Sequence, residues 1–129
     1  MDCLFCKIIK GEIPSKTVYE DELVKVFLDI NPTTNGDMLV VPKKHYENIL
    51  DIDEKLIPHI HKVIKDLHNM LKDKLSIDGL TIVQNNGHGQ EIKHYHVHVT
   101  PRYTNDEVKQ NSNKKILVDI DDVYEQIKD

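Results

Sequence analysis

The chain has 129 residues, 39% hydrophobic and 30% charged, the proportions of one soluble globular domain with a single core. Seventeen basic residues against 22 acidic ones give a formal charge of -5, which argues against nucleic acid as a partner but leaves a small phosphate ligand open. No apolar run approaches the ~20 residues that cross a bilayer, and Met1-Asp2-Cys3 does not read as a signal peptide, so no membrane partner and a cytoplasmic location are expected.

Residues 3–10 read as a short helix, ended by Gly11 and the Ile13-Pro14 pair. Residues 18–20 and 23–28 read as two strands around the acidic turn Glu20-Asp21-Glu22. Asn31-Pro32-Thr33-Thr34-Asn35-Gly36 is turn chemistry throughout, and a third strand at 38–41 is closed by Pro42. A helix is predicted over 54–75, where Leu56, Ile60, Val63, Leu67 and Met70 form one apolar stripe. Pro58 leaves its start open by a turn.

Residues 76–79 break that helix, and 80–83 read as a fourth strand. Asn85-Asn86-Gly87-His88-Gly89 is a glycine-bearing loop, and 94–100 form a fifth strand stopped by Pro101. Beyond Tyr103, residues 104–115 are polar and read as a loop, while 116–127 are apolar enough to dock as a strand or a final helix. The sum is an α+β fold, a mostly antiparallel sheet of about five strands with one long helix packed on it. Residues 1–103 form the domain core and 104–129 a C-terminal extension of the same domain.

Eight histidines stand in the chain, and the informative run is His94-Tyr95-His96-Val97-His98-Val99-Thr100. Side chains alternate across a strand, which puts His94, His96, His98 and Thr100 on one face and Tyr95, Val97 and Val99 on the buried one. Imidazoles roughly 7 Å apart can bind a metal, bind an anion or attack as nucleophiles; the alternative is a solvated face that happens to be rich in histidine. A proton on one ring disfavours a second on its neighbour, which favours the neutral form that attacks phosphorus. A neighbouring ring or backbone N–H can hold phosphate oxygens as charge builds on them. Three histidines on one strand face beside a glycine loop favour function over coincidence.

The same run resembles the signature of the histidine-triad family, and the likeness extends over residues 3–103. Phe5-Cys6-Lys7-Ile8-Ile9, Glu12-Ile13-Pro14 and Tyr19-Glu20-Asp21 are similar to that family's N-terminus. Phe27-Leu28-Asp29-Ile30-Asn31-Pro32, Leu39-Val40-Val41-Pro42-Lys43-Lys44-His45, Asn85-Asn86-Gly87 and Gly89-Gln90 continue it in order. The Hint-like branch, with its bacterial-type members carrying two N-terminal cysteines, is the most similar.

The resemblance implies a hydrolase of the P–N or P–O bond at the α-phosphate of a nucleoside 5′-phosphoramidate or related nucleotide, with adenosine as base. A nucleotidyl-histidine intermediate on His96 is implied, with His98 binding phosphate and supporting the leaving group, and His94 in the network beside them. Asp29 would accept the ribose hydroxyls; a carboxylate just after Phe27-Leu28 suits a diol, and its plainer role is to form the Asn31-Pro32 turn. Phe5, Ile8, Phe27 and Ile30 would line the base pocket, and Asn85, Gly89 and Gln90 the phosphate and sugar side. The implied partner is an AMP-like purine nucleotide, and the implied assembly a homodimer through the long helix and a sheet edge.

Three other readings compete: a dinucleoside polyphosphate hydrolase, a nucleotide-binding regulator with little turnover, and a metal-dependent hydrolase ligated by His94, His96 and His98. One departure stands out, since Asp37 occupies the place after Gly36 where the family usually has histidine. An aspartate there can orient one imidazole and raise its pKa. His59, His61 and His68 fall off the apolar stripe and are expected in solvent, as are Lys43 and Lys44.

Cys3 and Cys6 form a C-x-x-C pair, open to three readings: half a zinc site, a redox dithiol, or two unrelated cysteines. The redox motif belongs after a strand in a βαβ unit, and a reducing compartment disfavours a structural disulfide. Zinc needs two more ligands. In similar bacterial-type proteins these come from the histidine of the Pro-Lys-x-His segment and the first triad histidine. The resemblance therefore implies a structural zinc on Cys3, Cys6, His45 and His94.

Overall fold

A computed structural model describes residues 3–109 and 111–128. In chain order the elements are α1 (Leu4–Ile9), β1 (Thr17–Glu20), β2 (Val24–Leu28), β3 (Met38–Pro42), α2 (Leu56–Leu75), β4 (Gly79–Val83), β5 (Val97–Arg102) and α3 (Ile120–Ile127). The five strands make one antiparallel sheet in the order β1-β2-β3-β5-β4. The α+β architecture read from the sequence is the one the chain adopts.

Strand alternation decides what each sheet face carries. Val24, Val26, Met38, Val40, Val97 and Val99 point to one side and form the main core with α2. The buried residues of α2 are Leu56, Ile60, Val63, Ile64, Leu67 and Leu71. The stripe is therefore wider than expected and closes on Leu71, with Met70 only partly buried. Phe27, Leu39 and Val41 point to the opposite side and bury Phe5 and Ile8 of α1. A helix of six residues is too short to persist alone, so this docking, roughly 1.5–3 kcal/mol per buried side chain, helps define it.

Two local devices set the strand edges. Asp21 Oδ1 accepts the amides of Leu23 and Val24, each at 2.8 Å, and so shapes the β1–β2 turn. Gly36 precedes β3 with φ +89°, a backbone conformation that favours glycine, and a Cβ there would also displace the end of the Leu75 side chain.

Three boundaries differ from the sequence reading. β5 begins at Val97 rather than 94 and runs through Pro101 to Arg102, while β3 runs through Pro42. Both prolines sit where the β3–β5 pairing, confined to Met38↔Val99, Leu39↔His98 and Val40↔Val97, has already ended. Each ring is thus accommodated in a strand paired on one side only. The apolar tail resolves into a helix, α3, capped by Asp119 and with none of its residues buried. Among the described residues no helix is long and apolar enough to cross a membrane.

Candidate active site and metal-binding cluster

Because β5 starts at Val97, His94 and His96 lie on the approach to the strand and only His98 lies within it. Tyr95, Val97 and Val99 are buried against the main core, as the alternation predicts. His94 and His96 are buried too, at 0% and 4% exposure, so the histidine side is not a solvated face. The three rings also part company. His96 and His98 face one cavity, their centroids 4.9 Å apart, whereas His94 turns away toward the cysteines. His94, His96 and His98 therefore do not converge as ligands of one ion.

Hydrogen bonding fixes the proton on His96. Its Nδ1 lies 2.7 Å from the main-chain oxygen of His94. A carbonyl only accepts, so Nδ1–H is the donor and Nε2 keeps a free lone pair. Burial lowers the pKa of His96, an effect that the His94 carbonyl opposes, that nearby His98 adds to, and that Asp29 and Glu91 counter more weakly. The Phe5 ring stands edge-on to His96 at 5.0 Å between centroids and closes one side of it.

The cavity has a volume of about 680 Å³, a common size for a small-ligand site. Of the residues named from sequence, Phe5, Ile8 and Phe27 form its buried apolar wall, and Ile30 lines it while 91% exposed. Asp29, Asn85, Gly89, His96 and His98 supply the remaining named part of the lining. The Asp29 carboxylate also accepts the Asn31 amide at 2.9 Å, so its turn-forming role and its place on the cavity coexist. Gly89 adopts φ +97°, a conformation glycine favours, and keeps main chain at the surface there.

Gln90 is not part of the lining. It is buried, and its amide donates to the carbonyls of Glu47 and Ile92 while accepting from the Gly87 N–H, which braces the loop from behind. Thr33, Glu91 and Ile92 line the cavity without having been singled out from the sequence. They come from irregular segments, where no periodicity signals which way a side chain points.

Asp37 is 3% exposed and also borders the cavity. The sequence suggested that it orients an imidazole. Instead Oδ1 accepts the Thr100 hydroxyl at 2.9 Å and Oδ2 the Thr33 amide at 2.8 Å. Asp29, Asp37 and Glu91 make the cavity rich in carboxylates, and no lysine or arginine stands among its described lining residues. Two side chains expected in plain solvent have partners: Lys43 pairs with Glu20 at 2.7 Å, and His59 Nε2 lies 2.7 Å from Asp21 Oδ2.

Cys3, Cys6, His45 and His94 bring their donor atoms within 4.8 Å of one another, an arrangement that can hold a metal ion. His94 Nδ1 is 3.3 Å from Cys3 Sγ, 3.5 Å from Cys6 Sγ and 3.1 Å from His45 Nδ1, and Cys6 Sγ is 3.4 Å from His45 Nδ1. A tetrahedral zinc with its usual sulfur and nitrogen bond lengths spaces its donors about 3.4–3.8 Å apart, so the cluster is close to the size it needs.

The second nitrogen of His94 supports that fit. Nε2–H donates to the Pro42 oxygen at 2.8 Å, leaving the lone pair on Nδ1, inside the cluster. Burial drives the pKa of His94 down to about 4, opposed by the Pro42 bond and reinforced by His45 and His96, so the ring is a neutral donor. Burial, and then the bond to and charge of Cys3, push the Cys6 thiol up to about 11. Two thiolates together in this place therefore call for a cation.

Known proteins share this chain's sequence and its fold. A family model described as the HIT domain matches residues 10–105. An uncharacterized HIT-like protein of Methanocaldococcus jannaschii is 48% identical over 128 residues, covering 98% of each chain. The adenosine 5′-monophosphoramidase of Saccharomyces cerevisiae is 38% identical over 102 residues, which are 78% of this chain and 62% of that one. The crystal structure of a zinc-bound histidine triad family protein from Mycobacterium smegmatis superposes with a TM-score of 0.80 at 34% identity, covering 84% of this chain and 81% of the other. With its triad and its whole sheet inside the matched region, the chain belongs to the HIT domain family.

Proposed function

We propose that this protein hydrolyses the P–N bond of an adenosine 5′-phosphoramidate, releasing AMP and an amine, with His96 as the nucleophile. The observation that carries this reading is the 2.7 Å bond from His96 Nδ1 to the His94 oxygen, which leaves Nε2 unprotonated beside the cavity. The adenine lies against Phe5, Ile8 and Phe27, with Ile30 at the mouth, and Asp29 accepts the ribose hydroxyls. Asn85 and Gly89 border the sugar and phosphate, and buried Gln90 braces the loop that carries them.

Chemically, Nε2 attacks the α-phosphorus, the P–N bond breaks, and the amine leaves after taking up a proton. His98 holds a phosphate oxygen and supports the leaving group from beside His96. Water then attacks the adenylyl-His96 intermediate, the P–Nε2 bond breaks, AMP departs, and the proton released restores the balance.

The charge of the cavity favours an amine leaving group over a polyphosphate. A dinucleoside polyphosphate would set several negative charges among Asp29, Asp37 and Glu91, with no lysine or arginine among the described lining residues to meet them. A phosphoramidate carries a single one. The likeness to the yeast adenosine 5′-monophosphoramidase supports the same chemistry.

For the cluster we assign zinc in a structural role. Two cysteines and two histidines supply four donors, the number a closed tetrahedral site uses. The chemistry the ion supplies is to keep both thiols deprotonated and four side chains together; it stays outside the reaction path. We also read the molecule as a homodimer, on the support of the unpaired edge of β4, where Ile82 and Val83 are exposed.

Incubation with adenosine 5′-phosphoramidate, followed by measurement of AMP, tests the activity. Release by the wild type and its loss in His96→Ala and His96→Gly is the expected result. Tight AMP binding by the wild type without any release would instead make the protein a nucleotide-binding regulator.

A further inference from the structure

Two parts of the molecule meet at His94. Its ring belongs to the cysteine–histidine cluster, while its main-chain oxygen accepts the Nδ1–H of His96. That oxygen is available because β5 begins only at Val97, which leaves His94 outside the ladder. Pro42 holds the ring from behind through its own carbonyl, 2.8 Å from Nε2.

The cluster reaches the cavity by a second route, through α1. Cys3 caps this helix and accepts the Cys6 amide at 3.2 Å, so both thiols stand on its first turn. Phe5 sits between them in sequence, edge-on to His94 at 6.0 Å and to His96 at 5.0 Å between centroids. With Ile8 it forms the cavity wall next to the triad. A six-residue helix holds this position only through what it docks against and what grips its end.

We propose that Cys3, Cys6, His45 and His94, closed around one zinc ion, are positioning residues of the nucleotide pocket. Ligation holds the α1 wall and the carbonyl that sets the tautomer of His96, so zinc loading and nucleotide affinity are coupled. This rests on the nucleotide-site reading given above. A cluster that merely stapled the fold would stabilise the folded chain without changing ligand affinity in molecules that remain folded. A coupled cluster changes both, and the coupling is reciprocal: the factor by which zinc tightens AMP equals the factor by which AMP tightens zinc.

The test uses the full chain with Zn²⁺ and AMP as probes. Calorimetry gives AMP affinity with and without zinc, chelator competition gives zinc affinity with and without saturating AMP, and ¹⁵N NMR reads the ring protonation of His96. AMP is expected to bind the zinc-loaded chain at least about 5-fold more tightly, with zinc affinity rising by the same factor. The His96 ring is expected to show the Nδ1–H tautomer alone with zinc and a mixture of tautomers without it. Phe5→Ala keeps all four ligands but removes the wall contact, and is expected to bring the factor down toward one.

Equal AMP affinity in zinc-loaded and zinc-free chains that both keep their far-UV circular dichroism overturns the coupling, as does an unchanged His96 tautomer. Should the zinc-free chain unfold, a factor that survives undiminished in Phe5→Ala overturns it as well, because the linkage would then run through global stability. A zinc-loaded chain that binds no AMP overturns the nucleotide-site reading and the coupling with it.

Discussion

An imidazole has two nitrogens, and the partner of one decides what the other can do. In His96 the bonded Nδ1 leaves the lone pair on Nε2, as the proposed attack needs; in His94 the bonded Nε2 turns Nδ1 to the cysteines. His96→Ala is expected to lower kcat/KM for an adenosine phosphoramidate by at least about 10³-fold while AMP still binds, as stopped assays and calorimetry would show. Asp37 gives a prediction of another kind. Asp37→Ala leaves the Thr100 hydroxyl and the Thr33 amide without their acceptor, and a loss of roughly 1–3 kcal/mol in urea-unfolding stability is expected. The facing of His96, His98 and Thr100 was legible in the sequence, because alternation along the chain is local. The partners of Asp37 were not: Thr100 lies 63 residues away and meets it only through sheet register. Gln90 shows the same limit, since whether its amide faces a ligand or braces a loop depends on Glu47 and Ile92 around it.

At the level of elements, the sheet and the long helix followed from hydrophobic period, while the ends of strands followed from which neighbours were still paired. Pro42 and Pro101 read as terminators in one dimension and are strand residues in three, because the β3–β5 ladder has stopped before it reaches either. The β1–β2 turn is tied to the first turn of α2 by Asp21, which meets His59, Tyr19 and two amides. Burial alone would raise the Asp21 carboxyl, but the Val24 and Leu23 amides, with Tyr19 and His59, outweigh it and hold the carboxyl at about 2. A depressed folded-state pKa gives stability that is complete above the ordinary value of 3.8 and lost as pH falls toward about 2. Solvent screening keeps the amount on the order of 1 kcal/mol. Urea unfolding from pH 5 down to pH 2 is expected to show this decline in the wild type, and a shallower one in Asp21→Asn.

For the whole molecule, the two sheet faces divide the labour: one side buries the core under α2, and the other carries α1, the triad and the cavity. Apolar side chains face outward on the β4 edge and on α3, including Ile82, Ile120, Val123 and Ile127. Light scattering is expected to give twice the chain mass, and Ile82→Lys on that edge is expected to move the mass toward the monomer. The brevity of the β3–β5 ladder has a mechanical consequence. A ladder of only three residue pairs joins a three-strand sheet half to a two-strand half. A nucleotide bound as proposed would straddle that join, because the cavity is lined by Phe27 and Asp29 on one bank and His96 and His98 on the other. It would act as a bridge across this short ladder, slowing hydrogen–deuterium exchange of the amides between Val97 and Val99 well beyond the reach of its own contacts.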